Sequence, residues 1–97
     1  MPIVMNMTWE GVTRAQYDQL HGVVNWEGDK PKGAMFHVAA FSPQGIRVTD
    51  VWSSAEDFNH FLEQRLLPGV QKVGIQGGPK VEILPTHAVF APAYKPL

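Results

Sequence analysis

Two helix-start signatures, each arriving just after a short apolar run, constrain this chain more than any other feature of its sequence. Thr13 is followed three residues later by Gln16, and Ser53 by Glu56. At that spacing each side chain satisfies the other's backbone N–H, the reciprocal arrangement of a capping box. Beyond the first, Tyr17, Leu20, His21 and Val24 recur on one helical face, which predicts a helix running to about Trp26. Beyond the second, Ala55, Phe58, Phe61, Leu62, Arg65 and Leu66 form one stripe. Asp57 adds charge at the positive end of that helix, and Pro68-Gly69 ends it or kinks it into a further turn through Val73.

The intervening segments read as strands. Ile3 to Thr8 is a first strand, broken by Gly11. Ala34 to Phe41 and Ile46 to Trp52 flank the turn Ser42-Pro43-Gln44-Gly45 and form an antiparallel hairpin. Val81 to Phe90 is the last strand, and its Pro85 suits an edge or a bulge. Glu27 to Gly33 and Gly74 to Lys80 are loops, and the tail from Ala91 to Leu97 is expected to be extended. The order is strand, helix, strand, strand, helix, strand. Right-handed crossovers turn it into a four-stranded antiparallel sheet with both helices on one face, an α+β class.

A chain of 97 residues is one domain, spanning residues 1–97. Its formal net charge is −1 and Lys and Arg are nowhere clustered, which disfavours a nucleic-acid or anionic-membrane partner. The absence of cysteine excludes disulfides, thiolate metal sites and a Cys nucleophile. The N-terminus lacks the pattern of a secretory signal and no apolar run is long enough to span a bilayer, so a cytoplasmic location is expected. The second and last strands read as apolar on both sides, leaving a sticky sheet face opposite the helices. Packing that face against a second copy resolves it, so a homodimer is expected.

Val48-Thr49-Asp50-Val51-Trp52-Ser53-Ser54-Ala55-Glu56-Asp57-Phe58, with Phe61 following, resembles the strand-to-helix junction of dimeric α/β-barrel proteins. These are the antibiotic-biosynthesis-monooxygenase-like and stress-responsive barrel domains, ferredoxin-like in topology. Gly11-Val12-Thr13 with Gln16-Tyr17 resembles the start of their first helix, and the hairpin from Gly33 to Trp52 and the segment Pro85-Thr86-His87 also fit. The resemblance covers nearly the whole chain. It implies a ligand site in the cleft between helices and sheet. The activities it implies range over cofactor-independent oxygenation of aromatic polyketides, haem degradation, cyclisation, isomerisation and none known.

Four residues are candidates for catalysis. Tyr17 and His21, one helical turn apart, can orient a phenolic substrate or shuttle a proton; alternatively, Tyr17 packs its ring in the core and His21 covers the edge. His37, between Phe36 and Val38 in the second strand, is either a general base facing the cleft or a hydrogen-bonded histidine in a dimer interface. Asn6, polar within the apolar first strand, can position a carbonyl or dioxygen, as the resemblance implies, or pair with backbone at a bulge.

Substrate-binding candidates are Trp52, Asp50, Phe58, Phe61, Leu62 and His87. Trp52 packs over the start of the second helix, and Asp50 on the same strand face orients a histidine or binds backbone. Trp9 and Trp26 lie at element ends and rim the cleft mouth, whereas His60 falls on the solvent side. In the expected topology His37 and His87 sit on opposite sheet edges, roughly 14 Å apart, so no shared metal ion is expected. A haem site would need Asn, Trp and His converging on the second helix, whose stripe carries Phe58, Phe61 and Leu62 instead. Gly74 to Gly78 lacks the helix and Lys of a phosphate loop.

The expectation is therefore a barrel that binds a small apolar ligand, without a tightly bound cofactor. The resemblance implies a monooxygenase, cyclase or isomerase acting on an aromatic or polyketide-like substrate. The alternative is a non-catalytic ligand-binding or stress-associated dimeric module.

Overall fold

A computed structural model describes residues 2–94. Its elements are β1 (Ile3–Glu10), α1 (Arg14–Val24), β2 (Ala34–Ser42), β3 (Gly45–Trp52), α2 (Ala55–Phe61), α3 (Leu67–Val73) and β4 (Lys80–Pro85), with a π-helical turn (Leu62–Leu66) joining α2 to α3. The sheet order is β2-β3-β1-β4, every neighbouring pair antiparallel. This is the α+β, ferredoxin-like βαββαβ topology that the alternation of elements predicts. No helix of the described residues is long and apolar enough to cross a membrane.

The two helix starts form as their side chains dictate, with one shift in register. Thr13 caps α1 with a complete capping box to Gln16. The second cap is Ser54, which accepts from the Asp57 N–H; the expected Ser53–Glu56 box lies one residue too early. Ser53 instead donates its backbone N–H to the Gly33 carbonyl at 2.8 Å, tying it to the loop before β2. Asn25 ends α1 in the left-handed conformation that a short polar side chain tolerates, just short of Trp26.

Pro68 does not end the second helix; of the two expectations, the further turn through Val73 is the one that forms, as α3. The Leu67 N–H reaches back to the Leu62 carbonyl, one residue further than an α-helical bond, immediately before the proline that has no N–H to give. The wider turn carries the helix past Pro68 to Gly74, whose φ of 85° closes it. Gly69 then lies against α1: a Cβ there would stand 2.6 Å from Val24 Cγ2.

The sheet's inner face is set by strand alternation. Ile3, Met5, Met7 and Trp9 of β1 are buried, and Ile46, Val48, Asp50 and Trp52 of β3 lie beside them on the same face. Leu20 and Val24 of α1, Phe58 and Phe61 of α2, and Val70 of α3 complete the core. Asn6 therefore faces away from the helices, and its Oδ1 accepts from the Thr49 hydroxyl at 3.0 Å. A one-residue offset from Met5 and Met7 is enough to exclude it from the cleft.

The outer face is less apolar than the sequence suggests. Val38 and Leu84 are 44% and 45% exposed there, but Lys80 and Glu82 alternate with Leu84 along β4. The last strand also stops at Pro85, five residues before Phe90, because proline removes the donor that the ladder needs. His87 thus lies beyond the sheet rather than within it. Of the tail expected to be extended, the last three residues lie outside the described ones, and 92–94 form a turn and a bend.

Gly45 is the glycine the fold most requires. It has a φ of 155°, and a Cβ there would stand 2.3 Å from the Trp9 carbonyl oxygen. Gly45→Ala should destabilise the protein by about 2 kcal/mol, because rigid backbone rather than a mobile side chain must yield. A melting temperature within a degree of wild type would contradict this packing.

Candidate functional site

Between the inner sheet face and the helices lies a cavity of about 450 Å³. Met5, Met7 and Val48 form its floor, and Leu20, Phe58, Phe61 and Leu66 contribute its helical wall. Trp9, Val12, Ile46 and Ile75 close one end, while Glu27, Lys30 and Pro31 stand at the loop side. Such a volume, apolar with a few converging polar groups, suits a small organic molecule.

Four of its polar groups form one connected line. The Tyr17 hydroxyl lies 2.8 Å from His37 Nε2, and His37 Nδ1 lies 2.6 Å from Asp50 Oδ1. The other carboxylate oxygen, Asp50 Oδ2, accepts from the Trp52 indole N–H at 3.0 Å. The line crosses three elements: Tyr17 from α1, His37 from the edge strand β2, and Asp50 with Trp52 from β3.

The protons in this line can be assigned from its ends. An indole N–H only donates, so Asp50 Oδ2 must accept. Asp50 is the one buried charged side chain among the described residues, and two donors compensate its desolvation. Its Oδ1 accepts from His37 Nδ1–H, which in the neutral imidazole leaves the Nε2 lone pair facing the Tyr17 hydroxyl. His37 remains about a third exposed, so its ring is open to solvent as well as to the cavity.

Aromatic packing holds this line in place. Trp26 stands 5.7 Å from the Tyr17 ring and 5.5 Å from the His37 ring, between centroids. Trp52 packs at 5.6 Å from Phe58 and 5.4 Å from Phe61. Burial, aided by the charges of Asp50, Glu27 and Asp18, pushes the Tyr17 phenol up to about 12. Tyr17 is therefore a neutral hydroxyl throughout the physiological range, able to donate to His37 or accept from it.

Among the residues singled out from sequence, Tyr17, His37, Asp50, Trp52, Phe58 and Phe61 line the cavity. Leu62 is half-buried against the core but does not line it, and Asn6 is on the other sheet face. His21 is drawn off: its Nε2 bonds Glu27 and its ring stacks edge-on with Trp26, so Tyr17 pairs with His37 instead. His87, beyond the opposite edge strand, does not reach the cavity. Among the described residues no three His, Cys, Asp or Glu side chains come together as a metal site.

Sequence reasoning missed Met5 and Met7, and the His37–Asp50 contact was visible only as one of two options for Asp50. Both had a signal. The Pro43-Gln44 turn pairs Ser42 with Gly45, and counting outward along the hairpin puts His37 opposite Asp50. Alternation along β1 then places Met5 and Met7 on that same face.

No protein-family model matches the chain, and no curated protein does. Solved structures do. A protein of unknown function from Nitrosomonas europaea, NE2512, superposes with a TM-score of 0.71 at 17% identity, covering 96% of both chains. SnoaB, a cofactor-independent oxygenase from Streptomyces nogalater, gives 0.60 at 14% identity over 91% of this chain and 93% of its own. The ActVA-Orf6 monooxygenase from Streptomyces coelicolor, solved with nanaomycin D, gives 0.60 at 14% identity over 95% of this chain and 92% of its own. The chain shares its βαββαβ fold with these three proteins.

The raised Tyr17 pKa has a consequence for stability. Below the ordinary phenol value of 10 the folded and unfolded chains both keep the proton. Between 10 and about 12 only the unfolded chain loses it, so the folded state loses stability as pH rises through that window. Denaturant titrations should show a steeper fall there for wild type than for Tyr17→Phe, and parallel curves would refute the assignment.

Proposed function

We propose that the protein binds a small apolar molecule, aromatic or polyketide-like, in the helix–sheet cavity and transforms it by proton abstraction. The reaction kind is a monooxygenation, cyclisation or isomerisation that uses no tightly bound cofactor. The observation that carries this reading is the line Tyr17–His37–Asp50–Trp52 along an otherwise apolar cavity. The oxygenases that share the fold support it as analogues.

In this reading His37 Nε2 is the general base. Asp50 holds the ring with Nε2 toward the cavity and stabilises the imidazolium once a proton arrives. Tyr17 offers that proton a second acceptor or donor at 2.8 Å, which suits a relay toward solvent through the partly exposed His37. A substrate made electron-rich by deprotonation, held in the cavity against Trp52, Phe58 and Phe61, is the species that reacts with dioxygen or closes a ring. Trp52 positions Asp50 through its indole N–H.

One observation favours a second reading, a non-catalytic ligand-binding or stress-associated module. His37 Nε2 is already occupied by the Tyr17 hydroxyl, so the base is capped until a ligand displaces it. The two readings separate on turnover. Given a panel of polycyclic phenols in air, wild type should consume substrate and dioxygen. His37→Ala should lower kcat by about 100- to 10,000-fold with little change in ligand affinity. Asp50→Asn should lower it through the wrong tautomer. Ligand binding without turnover by wild type across the panel would leave the binding-module reading standing alone.

We further propose that the working form is a homodimer joined through the outer sheet face, where Val38 and Leu84 remain exposed among Val4, Ala40 and Val51. Sedimentation at micromolar concentration should give twice the chain mass, and Val38→Asp with Leu84→Asp should halve it. A stable wild-type monomer would overturn the proposal.

A further inference from the structure

The charges around the cavity are unevenly satisfied. Asp50 accepts from both His37 and Trp52, and Glu27 at the mouth is bonded to His21. Among the described residues Lys30 is the only Lys or Arg that lines the cavity, and no carboxylate stands within ion-pair distance of its ammonium. It is held on an ordered support. The Asp29 N–H donates to the Asn25 carbonyl at 2.9 Å, the Ala34 N–H to the Pro31 carbonyl at 3.2 Å, and Pro31 itself is buried.

Resting on the reading that this cavity takes an apolar ligand, we infer that the ligand is an acid, an aryl or polycyclic carboxylate whose charged end is taken by Lys30 at the mouth. An ionised carboxylate cannot be stripped of water in a pocket walled by Met5, Met7, Phe58 and Phe61 without a cationic partner. At the mouth it keeps both water and the ammonium. The ring end then points inward, against Trp52 and Phe58, and its path runs along the wall that carries His37. Glu27 shares the rim and opposes an acid, but it is engaged by His21, whereas Lys30 is exposed and has its donors available. Lys30 thus sets both the substrate class and the direction of entry.

The probes are anthracene-9-carboxylate and the neutral 9-anthracenemethanol, measured by equilibrium dialysis against the full chain at low salt. Wild type should bind the carboxylate about fivefold more tightly than the alcohol. Lys30→Gln should abolish that preference while leaving alcohol binding unchanged, and Lys30→Arg should keep it. Equal binding of the two probes by wild type, or a preference that survives Lys30→Gln, would overturn the assignment of Lys30 while the cavity reading stands. Failure of both probes to bind would overturn the cavity reading and this inference together.

Discussion

The buried carboxylate of Asp50 is the constraint around which the rest of the site is arranged. A charge 6% exposed in a small apolar core is costly unless donors replace the water it has lost. Two do, from different directions: the His37 imidazole across the hairpin and the Trp52 indole two residues along the same strand. Each donor is in turn immobilised. Trp52 is wedged between Phe58 and Phe61, and His37 lies beneath Tyr17 and Trp26. Removing the carboxylate would free the histidine to choose its tautomer and leave a buried indole N–H without a partner.

The same constraint explains why the cavity is one-sided. The polar line runs along the β2–β3 hairpin and α1, whereas Met5, Met7, Phe61 and Leu66 offer only apolar surface. A ligand is oriented by the hairpin side and merely accommodated by the other. Methionine suits that role, being flexible enough to fit an irregular guest. The π-helical turn at Leu62–Leu66 belongs to the same economy of shape. It lets the second helix continue past Pro68, which puts Val70 in the core, while Leu66 within the turn lines the cavity.

Within this fold the alternation of strand residues separates two surfaces with different work to do. Inward positions of β1 and β3 make the cavity and its charge clamp. Outward positions carry Asn6, Thr49, Arg47 and Glu82 mixed with Val38 and Leu84, a surface partly polar and partly apolar. The hydrogen bond between Thr49 and Asn6 ties neighbouring strands on that outer side, which is why a polar residue is tolerated in a central strand.

The order of elements, the first capping box, the hairpin and the dominance of α1 and the second helix were all legible in the sequence. They depend on neighbours three or four residues apart, or on a two-residue turn, and such short-range geometry is nearly independent of what lies elsewhere. The end of β4 was misjudged because Pro85 could equally have sat at a bulge, and only the edge it occupies decides. Which histidine matters was beyond local reasoning. Tyr17 has His21 one turn away on its own helix, yet it bonds His37, twenty positions along the chain. The packing of α1 over β2 brings the two rings together, while Glu27 claims His21. Asn6 failed for the opposite reason: its polarity was visible, but its side of the sheet is set by the register of the strands beside it. The sequence by itself therefore determined the fold and the residue types at hand. Only the tertiary structure decided which of them share a cavity, because that choice rests on contacts between elements, where a one-residue register shift reverses every side chain.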